Sequence, residues 1–123
     1  MATETPDFAG KWHNQNGSEL ELQLAGDGRV SGWFRSAVGA VPHDRSFPLT
    51  GWRSGDLIAF CVRFDTAGVA AWSGQHTLSG GLEKLEALRH LAQDIPPQSE
   101  REWLWSAIRT GADHFVRGPS LRI

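Results

Sequence analysis

The chain has 123 residues, 40% of them hydrophobic, and a formal net charge of -2 at pH 7. That length suits one domain with a single core and room for one ligand cavity, the scattered Lys and Arg residues offer no basic stripe to a nucleic-acid backbone, and no apolar run approaches a membrane span. A single cysteine, Cys61, excludes an internal disulfide framework, and six Trp and six Phe without any Tyr favour dry aromatic contact over phenol hydrogen bonds.

Strand-like segments of alternating polarity follow one another at short intervals, separated by Gly- and Asp-rich turns. The first is expected at 9–14. The second, at 18–24, alternates cleanly, with Leu20, Leu22 and Leu24 on one face and Glu19, Glu21 and Gln23 on the other. Gly26, Asp27 and Gly28 then supply the backbone freedom of a tight hairpin. Further strands are expected at 30–35, 47–53, 57–64 and 69–78, punctuated by Ser54-Gly55-Asp56, Thr66-Ala67-Gly68 and Ser79-Gly80-Gly81. Cys61 falls within one of them, where a free cysteine is expected as a small buried or interface side chain.

Residues 82–92 carry two signals. Leu82, Leu85, Leu88 and Leu91 recur every third residue, which is the period of an amphipathic helix. The segment nonetheless follows a Gly-Gly turn in a run of strands, and tertiary context overrides weak propensity, so a strand is expected. Residues 93–102, with Pro96-Pro97, form a polar connection, and a last strand is expected at 105–116. Eight antiparallel strands joined by short turns favour an all-β up-and-down barrel, whose closure leaves no open edge.

Three short signatures carry a resemblance. They are Gly10-Lys11-Trp12-His13-Asn14-Gln15-Asn16-Gly17-Ser18, Ser36-Ala37-Val38-Gly39 and Trp72-Ser73-Gly74-Gln75, supported by Leu49-Thr50-Gly51 and by Gly111, Asp113 and Phe115. In this combination the chain resembles the avidin and streptavidin family from about residue 8 to residue 116. The resemblance implies a streptavidin-like barrel domain at 8–117, between a flexible segment at 1–7 and a tail at 118–123. It also implies non-catalytic binding of biotin at one open end, with biotin as ligand rather than cofactor, and assembly as a homodimer or homotetramer. Residues 1–7 contain no signal-peptide core, whereas members of the family are often exported, so the compartment stays open.

The resemblance also assigns roles. Asn14 and Ser18 are expected to donate to the ureido oxygen, and Ser36 and Asp113 to accept from the ureido nitrogens; turn chemistry and a solvated loop carboxylate are the ordinary alternatives. Trp72, Phe64 and Trp105 are expected as apolar walls, with Trp105 reaching into a neighbour's site, although each also suits an ordinary core. Val38, Gly39 and Ala40 belong to the loop expected to close over the pocket. The chain departs from the family at Phe34, where a tyrosine hydroxyl is usual, at Ala70, where a hydroxyl faces the ligand sulfur, and at Gly68, where a serine helps hold the carboxylate. The tryptophan of strand seven has no counterpart, Leu88 or Arg89 standing near its place, and Arg89 is expected either to approach the ligand carboxylate or to lie outside the barrel. Each lost hydrogen bond costs about 1–3 kcal/mol, so binding is expected to be weaker than in streptavidin, at roughly nanomolar to micromolar.

The five histidines, at 13, 43, 76, 90 and 114, lack the spacing of a zinc site, and no nucleophile elbow, phosphate loop or paired-carboxylate signature is present. The alternatives to biotin binding are a lipocalin-like barrel for a hydrophobic molecule, an avidin-like scaffold whose pocket has moved to another ligand, and an enzyme built from scattered residues.

Overall fold

The computed structural model describes residues 6–37, 43–65, 68–94 and 108–118. Eight strands follow in chain order: β1 (Gly10–His13), β2 (Glu19–Leu24), β3 (Arg29–Arg35), β4 (Phe47–Ser54), β5 (Leu57–Arg63), β6 (Val69–Ser79), β7 (Leu82–Ala92) and β8 (Ile108–Arg117). Each pairs antiparallel with the next, and β1 closes the barrel on β8 through Trp12 opposite Arg117 and His13 opposite Val116. The expected all-β closed barrel is therefore present. The expected last strand begins at residue 108 among the described residues, and 105–107 lie outside them.

The alternation read from the sequence becomes the inner and outer faces. Leu20 and Leu22 of β2, Ile58, Phe60 and Val62 of β5, and Phe115 of β8 are all buried in one core. β7 is a strand, and its three-residue leucine repeat divides between the faces. Leu85 is fully buried and Leu91 packs against the core, while Leu82 and Leu88 are exposed on the outside. A spacing of three inverts the face at each step of a period-two element, so it gives no single apolar stripe. Of the two places expected for Cys61, buried or at an interface, the chain excludes burial. The residue lies between the inward Phe60 and Val62 and is exposed on the outer face of β5.

The two ends of the barrel differ. One is tied down by Arg117, which donates to the carbonyls of Ala9 (2.7 Å) and Asp7 and stacks its guanidinium 4.2 Å from the Trp12 ring centroid. Trp12 donates its indole N–H to the Phe8 carbonyl at 2.9 Å, and both rings are fully buried. The other end is framed by the last residues of β1, β3, β5 and β7 and the first of β2, β4, β6 and β8, and the buried polar residues gather there.

Candidate functional site

The site begins at the turn between β1 and β2. Asn14 accepts the backbone N–H of Ser18 (2.9 Å) and of Asn16 (3.0 Å) at Oδ1, which closes the turn with the side chain itself. Its Nδ2 then points inward and donates to Asp113 Oδ1 at 3.1 Å. Asn14 thus does turn work and pocket work at once. Ser18, 2% exposed, accepts the backbone N–H of Ala37 at Oγ (2.9 Å), which keeps its hydroxyl proton for another acceptor. Through that bond the turn is fastened to the segment after β3, where Ser36 is also buried.

Asp113, on β8, is fully buried and receives four donors. Oδ1 accepts from Asn14 Nδ2 (3.1 Å), Gln15 Nε2 (3.2 Å) and Arg89 Nη1 (2.8 Å), while Oδ2 accepts from Trp72 Nε1 (2.7 Å) and Arg89 Nη1 (2.7 Å). A carboxylate taken out of water needs such partners, and the guanidinium supplies the countercharge. Arg89 lies opposite Gly111 across β7 and β8, where the missing side chain leaves its guanidinium room. A Cβ at Gly111 would lie 2.4 Å from Arg89 Nη2.

Aromatic rings line the adjoining interior. Phe60 stacks on Trp72 with centroids 5.2 Å apart and planes 17° apart. Phe34 tilts against Trp72 at 4.9 Å and meets Phe64 edge-on at 5.8 Å, and Phe64 in turn meets Phe47 at 5.2 Å. Such a lining excludes water and strengthens the few polar contacts beside it.

Of the residues singled out from the sequence, Asn14, Ser18, Phe34, Ser36, Phe64, Ala70, Trp72 and Asp113 are all buried. Hydrogen bonds link Asn14, Trp72 and Asp113 directly, and ring contacts join Trp72, Phe34 and Phe64. Val38, Gly39, Ala40 and Trp105 lie outside the described residues. Arg89 does not lie outside the barrel: β7 alternation turns it inward with Ala87, and its Nη1 is bound to Asp113. Gln15 and Phe60 were missed. Gln15 donates to the Ala112 carbonyl and accepts the His114 N–H, which braces β8 against the β1–β2 turn. Its place next to Asn14 was the only sequence signal for it, whereas strand alternation pointed to Phe60.

Comparison with known proteins sets this geometry in context. Residues 2–118 match the model of the avidin family. Afifavidin of Afifella pfennigii is 32% identical over 75 residues, a match that takes in 56% of this chain and 47% of that protein, so the chain spans about half the length of that relative. Among solved structures, a biotin-binding protein from chicken superimposes with a TM-score of 0.81 at 26% identity, covering 94% of this chain and 99% of the other. A rhizavidin–biotin complex superimposes with a TM-score of 0.74 at 25% identity, covering 88% and 97%.

Proposed function

The chain belongs to the avidin family, and on that premise we propose that it binds biotin at the polar rim of the barrel and releases it unchanged. The observation that carries this reading is the buried network of Asn14, Trp72 and Asp113 beside an aromatic lining, together with the likeness to a protein solved as a biotin complex. A cyclic urea presents one oxygen that needs donors and two N–H groups that need acceptors. Ser18 retains its hydroxyl proton and Asn14 retains its second amide N–H for the oxygen; Ser36 and Asp113 are the acceptors for the nitrogens. Trp72, Phe34 and Phe64 wall the ring, with Ala70 beside them, and Val38, Gly39, Ala40 and Trp105 complete the proposed site. Phe34 carries no hydroxyl, so the oxygen has one donor fewer than the family's tyrosine would supply.

Self-association is part of the same proposal. Leu57, Ala59, Cys61, Val69, Ala71 and Leu88 are exposed on neighbouring outer positions of β5, β6 and β7, a surface suited to a second copy of the chain. The experiment is a calorimetric titration with biotin, repeated on a Ser18→Ala, Asp113→Ala double variant and accompanied by light scattering for mass. One biotin per chain, lost in the double variant, is the expected result. No heat and no thermal stabilisation at millimolar biotin would reject biotin as the ligand.

A further inference from the structure

An ionised carboxylate offers about four acceptor directions, and the chain's own donors occupy those of Asp113 through five hydrogen bonds. A ligand N–H that bonds Asp113 must therefore replace one of them. Three of the four donors are held elsewhere. Asn14 is fixed by the two backbone N–H groups at its Oδ1, Gln15 by the Ala112 carbonyl and the His114 N–H, and Trp72 by its burial and its stack on Phe60. Arg89 is the exception. Its side chain is 31% exposed, it hangs on a flexible stem, and among the described residues only its Nη1 has a partner.

From this we infer that Arg89 determines the ligand selectivity of the pocket by competing with ligand N–H groups for Asp113. This rests on the reading of the pocket as a biotin site. A ureido N–H gains its bond to Asp113 only by displacing a charge-assisted bond of the guanidinium, which weakens every ligand that relies on that donor. Gly111, opposite Arg89, leaves the space in which the guanidinium lies, and a Cβ there would press on its flexible end. A wholly structural Arg89 predicts the opposite sign: its loss would leave Asp113 without a countercharge and loosen the site.

The test is calorimetric titration of biotin into the full chain and its Arg89→Leu, Arg89→Gln and Arg89→Lys variants, with thermal unfolding to show that each is folded. Arg89→Gln serves if Arg89→Leu does not fold. At least a tenfold gain in biotin affinity in the neutral variants, with Arg89→Lys near the parent, is the expected result. Unchanged or weaker binding in the neutral variants overturns it while leaving biotin as the ligand. No binding by any of the four proteins rejects biotin and this inference together.

Discussion

Trp72 donates its indole N–H to Asp113 Oδ2 at 2.7 Å, joining β6 to β8 across the interior through two side chains that are almost wholly buried. Phenylalanine at position 72 keeps most of the ring area and removes this donor. Trp72→Phe is expected to destabilise the fold by about 2 kcal/mol, from the lost bond to a charged group and the small cavity left behind. Urea unfolding, followed by far-UV circular dichroism, measures it. A loss below about 0.5 kcal/mol would show that the carboxylate does not depend on the indole.

Phe34 lies between Trp72 and Phe64 at the polar end of the barrel. Phe34→Tyr adds the phenol donor that the resemblance associates with this position. The expected outcome is a rise in biotin affinity of roughly fivefold to a hundredfold, corresponding to about 1–3 kcal/mol for one satisfied bond. Unchanged affinity in a competition titration would place the ring edge away from the ureido oxygen.

Gly51, in β4, faces Phe60 of β5 so closely that a Cβ would lie 1.9 Å from the Ala59 carbonyl oxygen and 2.6 Å from the Phe60 Cα. Both are backbone atoms in a paired strand, so relief requires the two strands to part. Gly51→Ala is expected to cost about 3 kcal/mol or more. A chemical-denaturation midpoint close to that of the parent would contradict this close approach.

Glu83 has its carboxyl pKa lowered from 4.5 to about 2, first by the hydrogen bonds from Arg117 and then by that of His76. A carboxylate whose folded pKa is depressed contributes stability above its unfolded value and loses it as pH falls through the folded one. The parent is therefore expected to lose stability relative to Glu83→Gln between about pH 4.5 and about pH 2, with a steady difference above that window. Denaturation midpoints across that range decide it. Parallel curves would mean that Arg117 and His76 do not hold the carboxylate.

Much of this barrel was legible before any coordinates. The period-two pattern in 18–24 marked both the strand and its inward face, because alternate residues of a pleated strand point to opposite sides. Asn14, Ser18, Ser36 and Asp113 were legible through the family resemblance that their signatures carry, and the fold buries all four. Residues 82–92 were harder, since a leucine every third residue is compatible with two periods and only pairing with β6 and β8 selects between them.

By itself, then, the sequence determined the strand succession, the inward leucine face of β2 and the family, since all three depend on local order along the chain. Tertiary structure alone decided what Arg89 does. Its direction follows from alternation in β7, but its partner depends on β8 lying alongside, on Gly111 opposite it leaving space, and on Asp113 being the next inward residue. The same holds for Gln15, whose bonds all run to β8. Cross-strand neighbours far apart in the chain are set by register and closure, and the strength of a buried charge pair is set by the water those neighbours exclude.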